Sequence, residues 1–106
     1  MIDPDLSIEE RIKGIIRREI DEFNVDTDYK LATLDAFRAA FCQPYEIMVN
    51  FAGGVRQSCW AITSSDGTYR VVYLPQLGVF SLVVESQLGP LDISVHGSAI
   101  GCFSSV

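Results

Sequence analysis

Apolar residues near the start of the chain recur at helical spacing. Ser7 and Glu10 have the spacing of a capping box, in which the two side chains accept hydrogen bonds from free backbone amides of the first turn. The stripe that follows advances by three and four residues and consists of Ile8, Ile12, Ile15, Ile16, Ile20 and Phe23. This spacing predicts an amphipathic helix over residues 7–23.

A second, shorter apolar stripe follows a polar break. Asp26, Thr27 and Asp28 are alternative caps for a helix that begins there, because their side-chain oxygens accept from backbone amides. Pro44 disfavours helical geometry in the residue before it and should end the helix. The stripe consists of Leu31, Leu34, Phe37, Arg38 and Phe41, and it predicts a helix over residues 29–42.

Beyond Pro44 the apolar period changes from helical to alternating, which is typical of strands. Turn signals recur at Gly53–Gly54, Asp66–Gly67, Pro75–Gly78 and Gln87–Pro90. If the first two are two-residue turns and the others four-residue loops, the turns determine which residues face each other. The resulting pairs are Ile47 with Trp60, Ile62 with Val71, Tyr73 with Phe80, and Val84 with Ile93. The predicted strands cover about residues 45–52, 55–64, 68–74, 79–86 and 91–97, and a sixth over 99–105 is an open alternative.

Together these patterns predict one α+β domain over residues 1–106, in which two N-terminal helices pack on one face of a five- to six-stranded antiparallel meander sheet. Helices followed by a long meander also occur in cystatin-like rolls, an architectural similarity that implies no function. The helix-facing side of the predicted sheet consists of Tyr45, Ile47, Val49, Phe51, Trp60, Ile62, Tyr69, Val71, Tyr73, Phe80, Leu82, Val84, Leu91, Ile93 and Val95.

The opposite face of the predicted sheet carries an apolar belt. Two helices can cover only one side of such a sheet, so this belt would be left in water unless a second molecule covers it. The leading hypothesis is therefore a non-enzymatic interaction domain that forms a dimer or binds a protein partner through this face. The interface candidates are Met48, Cys59, Leu74 and Val79, flanked by Ala61, Val72 and Val83.

A cavity between helices and sheet is the basis of the alternative hypothesis, a small apolar-ligand binder or a simple enzyme. Its candidate lining residues are Trp60, Tyr69, Tyr73 and Phe80, although aromatic cross-strand neighbours are more often plain core. A third hypothesis is an acidic inhibitor of a basic protein, bound through electrostatic steering.

The charge of the chain restricts its partners. Eight basic and 14 acidic residues give a net charge of -6, which repels a nucleic-acid backbone and an anionic membrane. We therefore expect neither nucleic acid nor membrane as a partner. The three cysteines form no C-x-x-C pair, and an odd count favours reduced thiols and a cytosolic location.

Candidate chemistry in the sequence is sparse. Asp92, Ser94 and His96 alternate along one predicted strand, where the two ends would be about 13 Å apart. A catalytic triad is therefore not expected, and a polar strand face is favoured. His96 is the only histidine, so we expect no catalytic residues, no metal and no cofactor. Cys59 has no basic neighbour in the predicted register, which favours a buried apolar residue over a reactive thiol.

Overall fold

Two helices, a five-stranded meander and a short third helix follow one another along the chain. The computed structural model describes residues 7–64 and 67–105. The elements are α1 (Ile8–Glu22), α2 (Asp28–Ala40), β1 (Phe41–Asn50), β2 (Arg56–Thr63), β3 (Tyr69–Leu74), β4 (Val79–Val84), β5 (Leu91–Gly97) and α3 (Ala99–Phe103), with a single 3₁₀ turn at Ala52–Gly54. The α+β class is confirmed, since the two N-terminal helices pack on a five-stranded antiparallel meander.

Side-chain caps start both N-terminal helices. The Ser7 hydroxyl accepts from the amide of Glu10 at 3.2 Å, and the Thr27 hydroxyl accepts from the amide of Lys30 at 3.1 Å. The second helix ends at Ala40, two residues earlier than expected, and the chain continues directly into β1. Pro44 therefore lies inside β1, where its missing amide coincides with a register irregularity between Phe41 and Tyr45.

The register between β2, β3 and β4 is as predicted. Trp60 lies opposite Tyr73, which in turn lies opposite Phe80. The flanking strands thus confirm the register expected from the Asp66–Gly67 turn, although Asp66 itself lies outside the described residues. Each of these strands is joined to the next by a connection of only a few residues, and the turn residues of such a short connection determine the register.

The predicted register between β1 and β2 is wrong by one residue. Ile47 lies opposite Cys59 rather than Trp60, which pairs with Glu46. The turn between β1 and β2 contains three residues, Ala52–Gly54. A hydrogen bond from the Phe51 amide to the Val55 carbonyl, at 2.6 Å, closes this turn. One extra residue in the turn shifts every pair by one position.

A bulge displaces the register between β4 and β5. Leu82 pairs with Val95 as expected, but Val84 pairs with Leu91 instead of Ile93. The inserted residues include Ser94, whose φ of 64° lies in the left-handed region. Such a bulge bends the strand and changes the direction of the side chains that follow it.

The sheet closes into a barrel, and this closure encloses most of the predicted belt. Asn50 lies opposite Leu91, and its amide side chain donates to the carbonyls of Leu88 at 3.0 Å and Pro90 at 3.1 Å. Because of the one-residue shift, β1 now presents Ile47 and Val49 to the same side as the belt. The resulting barrel core contains Val49, Cys59, Ala61, Val72, Leu74 and Val83 as buried residues, with Ile47, Phe51 and Val79 packed against them.

The expectation that the belt is left in water is therefore wrong. Cys59, Leu74, Val72 and Val83 are buried within a single chain, and Val79 is half-buried. Among the interface candidates and the residues that flank them, Met48 is the exposed one, at 45%. The sheet covers its own second face by curling around it, so no second molecule is needed there.

The helices cover the outer side of the barrel and form a second core. Its buried members on the sheet are Ile62, Val71, Tyr73, Phe80 and Leu82, to which the helices add Ile12, Ile16, Leu34 and Phe37. These sheet positions belong to the predicted helix-facing side. Ile47, Val49 and Phe51 of β1 were also predicted to face the helices, and this is wrong, because the register shift turns them into the barrel.

Residues 99–103 form α3 instead of the sixth strand that was an alternative. The Ser98 hydroxyl caps the helix by accepting from the Gly101 amide at 3.0 Å. Glu19 of α1 adds a second attachment, since its two carboxylate oxygens accept from the amides of Ala99 and Ile100 at 3.0 and 3.1 Å. A carboxylate at a helix start is electrostatically favourable, so α1 holds α3 against the barrel.

Candidate functional site

An open cleft of about 610 Å³ lies between α2, α3 and the start of β3. The α2 wall has small side chains at one-turn spacing, which leaves a groove between larger aromatic rings. Tyr29 stands at one end with 76% of its surface exposed. The lining residues are Tyr29, Ala32, Thr33 and Ala36 of α2, Thr68 and Tyr69 at the start of β3, and Phe103 and Ser104 at the end of α3.

The Phe103 wall of the cleft is held in place by the core beneath it. Its ring packs edge-to-face on Phe37, with centroids 5.5 Å apart, and Phe37 is fully buried. On the α2 wall the Thr33 hydroxyl donates to the Tyr29 carbonyl at 3.0 Å, so this hydroxyl is already engaged by the backbone. The cleft is therefore a preformed and mainly apolar surface.

A smaller inner cavity of about 80 Å³ adjoins the cleft and shares Tyr69 and Phe103 with it. Arg70 lines this inner cavity, with Nη2 2.6 Å from a Glu85 carboxylate oxygen and the guanidinium carbon 5.7 Å from the centroid of the Tyr45 ring. The Nε–H of Arg70 is buried and has no hydrogen-bond partner among residues 7–64 and 67–105. The inner cavity thus has one cationic side chain, paired with Glu85, in an otherwise mainly apolar lining.

The predicted pocket residues separate into two groups. Tyr69 lines both cavities, whereas Trp60, Tyr73 and Phe80 line neither of them. Tyr73 and Phe80 are core residues whose rings lie 5.1 Å apart, and Trp60 packs half-buried against the same core. The predicted layer between helices and sheet does contain a cleft, but α2 and α3 supply most of its walls.

Sequence reasoning missed Tyr29, Ala32, Ala36 and Phe103. The first three recur at three- and four-residue steps on α2, next to the buried stripe of Leu34 and Phe37, so periodicity could have placed them on one face. Phe103 could not be found in this way, because its segment was treated as a strand alternative.

The bulge in β5 brings His96 to Asp92, which corrects the expectation that they lie far apart. The imidazole Nε2 is 3.2 Å from both carboxylate oxygens, and the Ser94 amide donates to one of them at 3.3 Å. The Ser81 hydroxyl donates to the other oxygen. The 13 Å expectation assumed a straight strand, and the left-handed Ser94 removes that assumption.

This polar cluster does not have the order of a catalytic triad. Asp92 lies in the middle, bonded to Ser81 on one side and His96 on the other. Ser81 is fully buried, and its hydroxyl donates to Asp92 and not to the imidazole, so His96 is not placed as the base that activates it. The Asp92 side chain is only 6% exposed, and its three hydrogen-bond partners satisfy a carboxylate that stabilises the bulge.

Two of the three thiols are buried, which makes them unreactive. Burial raises the pKa of Cys59 to about 11, with a smaller contribution from the Asp92 charge. Burial also raises the pKa of Cys102 to about 11, helped by Glu19 and Asp92. Cys42 is half-buried, and burial raises its pKa while Arg70 acts in the opposite direction. Among residues 7–64 and 67–105, no group of three or more His, Cys, Asp or Glu side chains could hold a metal ion.

We expect the stability of the protein to fall between pH 9 and 11. A folded-state pKa raised above the ordinary value of 9.0 means that the folded state binds the thiol proton more tightly. The resulting stabilisation is present below pH 9 and is lost as the pH rises through about 11. Urea unfolding at pH 8 and pH 10.5 measures this loss. A Cys59→Ala/Cys102→Ala variant should show a smaller decrease, and an equal decrease would contradict the assignment.

Comparison of the chain with protein-family models, with curated proteins and with solved structures found no match. In the part of the chain that the structure describes, no helix has both the length and the apolar character needed to cross a membrane.

Proposed function

We propose that the protein binds a small apolar molecule in the cleft between α2, α3 and β3. The observation that carries this proposal is a cleft of about 610 Å³ walled by aromatic rings and small side chains. Ligand sites in proteins are typically concave, mostly apolar and about 300–1,000 Å³ in volume. The cleft has this size and composition.

The exposed apolar surface of the cleft supplies the driving force for binding. The Tyr29 ring is largely in water, and a ligand that covers it gains roughly 25 cal/mol for each Å² of apolar surface removed from water. Arg70 lines the adjoining inner cavity, and its guanidinium group supplies orientation for the polar end of a ligand. A ligand with an apolar body and a hydrogen-bond acceptor at one end fits both parts of the site.

Binding without catalysis is the form of the function that we propose. The groups with acid–base or nucleophilic character, His96, Cys59 and Cys102, do not line the cleft. We place the protein in the cytosol, and this assignment is supported by its three free thiols, two of them buried.

The other two hypotheses stay predictions. Self-association no longer has the belt as its surface, because most of its residues are buried in the barrel. Met48 remains on the outside and can contribute to a contact with a second copy or another protein. Inhibition of a basic protein is still suggested only by the net charge of -6.

Filling the cleft tests the proposed function. Ala36 is exposed and lines the cleft, so Ala36→Trp should occupy the ligand space without disturbing the core. Ala39→Trp is the matched control, since Ala39 is exposed on the same helix and does not line the cleft. We expect the neutral fluorescent probe N-phenyl-1-naphthylamine to bind the wild type and the control equally.

Affinity for this probe should fall at least about tenfold in the Ala36→Trp variant, which corresponds to about 1.4 kcal/mol of binding free energy. Fluorescence titration measures the affinities, and circular dichroism verifies that both variants are folded. Equal binding by the two tryptophan variants, or no binding by the wild type, would contradict the proposal.

A further inference from the structure

A second groove, of about 370 Å³, lies on the other side of α2, between α1 and the start of β1. It shares no lining residue with the apolar cleft. Its lining residues are Lys13, Ile16, Arg17, Ile20 and Asp21 of α1, Arg38 of α2 and Phe41 at the start of β1. We call this site the basic groove.

Three of the eight basic side chains of an acidic protein meet at the basic groove. Among the described residues, no carboxylate lies within ion-pair distance of Lys13, Arg17 or Arg38, whereas Lys30 and Arg70 each have a carboxylate partner. Asp21 also lines the groove, so the three cations leave its lining with a net charge of +2. Lys13 and Arg17 are four residues apart on α1, where like charges repel each other. A bound anion would relieve this repulsion.

The basic groove also has an apolar floor. Ile16 is buried, with 2% of its surface exposed, and Ile20 and Phe41 are half-buried. Strongly hydrated inorganic anions gain nothing from such a floor. A molecule that combines an anionic head with an apolar chain would satisfy the cations and cover the floor at the same time.

The size of the groove favours a small molecule over a macromolecule. A standard protein interface involves about 20–30 residues on each side, far more than the groove lining. An anionic membrane surface is disfavoured because the whole chain carries a net charge of -6. Arginine side chains present forked donors that match the two oxygens of a carboxylate.

We propose that the basic groove binds a small amphiphilic carboxylate of the fatty-acid type. Arg17, Arg38 and Lys13 hold the carboxylate head, and the alkyl chain lies on the floor formed by Ile16, Ile20 and Phe41. This site is independent of the proposed apolar cleft.

Titration with octanoate, monitored by NMR of the isoleucine methyl groups, tests the proposal. Octanoate should produce saturable shifts at Ile16 and Ile20. Its neutral analogue 1-octanol lacks the charge and should bind at least about tenfold more weakly, the loss expected for one charge-assisted hydrogen bond. Acetate keeps the charge but lacks the chain, and it should also bind at least about tenfold more weakly because it removes less apolar surface from water. Equal binding by octanoate and 1-octanol would overturn the proposal.

Two variants locate the site. Arg17→Gln should weaken octanoate binding about tenfold, as expected for the loss of a charge-assisted contact. Arg18→Gln is the matched control, since Arg18 is the exposed neighbour that does not line the groove, and it should bind like the wild type. Equal effects of the two variants would contradict the assignment to this groove.

The Ala36→Trp variant separates this inference from the proposed function. Octanoate binding should persist in Ala36→Trp, because the tryptophan fills the other cleft. Loss of octanoate binding in that variant would place the carboxylate in the apolar cleft and overturn the inference. Tighter binding to phosphatidylglycerol vesicles than to monomeric octanoate would also overturn it, in favour of a membrane surface.

Discussion

Replacing Leu74 by Asp should abolish folding. Leu74 is 5% exposed and packs inside the closed barrel with Val49, Cys59 and Val83. A carboxylate at this position would be buried without a partner, which costs about 3–5 kcal/mol, and the lost leucine contacts add about 2 kcal/mol or more. The total stability of a small domain is about 5–15 kcal/mol, so little or none would remain.

Leu77→Asp is the matched control for this experiment. Leu77 lies in the loop three residues after Leu74 and is 68% exposed, so the same change should alter stability by about 0.5 kcal/mol or less. Circular dichroism and urea unfolding measure both variants, and light scattering gives the solution mass. A folded Leu74→Asp monomer would show that the second sheet face is open to water and that the barrel does not close.

Truncating Phe37 to Ala should lower the free energy of unfolding by about 3–5 kcal/mol. Phe37 is a fully buried residue of α2. The centroid of its ring lies 6.2 Å from that of Phe41 and 5.5 Å from that of Phe103. The substitution removes the packing between α2, the start of β1 and α3. Because Phe103 is a wall of the apolar cleft, affinity for the fluorescent probe should also decrease.

The exposed Tyr29 on the same helix provides the comparison. Tyr29→Ala should change the free energy of unfolding by about 0.5 kcal/mol or less, since 76% of the side chain is in water. Tyr29→Ala should nevertheless weaken probe binding, because the ring lines the cleft. Urea unfolding together with probe titration separates the two roles. Equal losses of stability in the two variants would contradict the assigned core.

Helix α2 has a central position in both binding proposals. One side of α2 supplies Tyr29, Ala32 and Ala36 to the apolar cleft, and Arg38 near its end supplies a cation to the basic groove. The buried face between them, centred on Leu34 and Phe37, attaches the helix to the barrel. The two sites are therefore supported by one packed element.

The net charge of the chain does not predict where its charged side chains lie in the fold. The value of -6 describes the molecule as a whole. It does not reveal that Lys13, Arg17 and Arg38 meet at one groove, because Arg38 is 21 residues away from Arg17 in sequence. Only the tertiary structure brings these cations together.

Local signals in the sequence determined the helix starts and most of the meander. The caps at Ser7 and Thr27 act within a few residues, so their chemistry is visible in the sequence itself. The register from β2 to β4 follows from alternating apolar positions joined by short turns, and the pairing of Trp60 with Tyr73 and of Tyr73 with Phe80 confirms it.

Tertiary structure alone decided how the sheet ends and what it encloses. The three-residue turn before β2 and the bulge at Ser94 each shift a strand, and neither has an unambiguous local signature. Closure through Asn50 depends on residues about 40 positions apart. The helix after Gly97 depends on Glu19, a residue 80 positions earlier. These contacts join segments that are distant in sequence, so their free energies are set by the folded chain and not by any local pattern of residues.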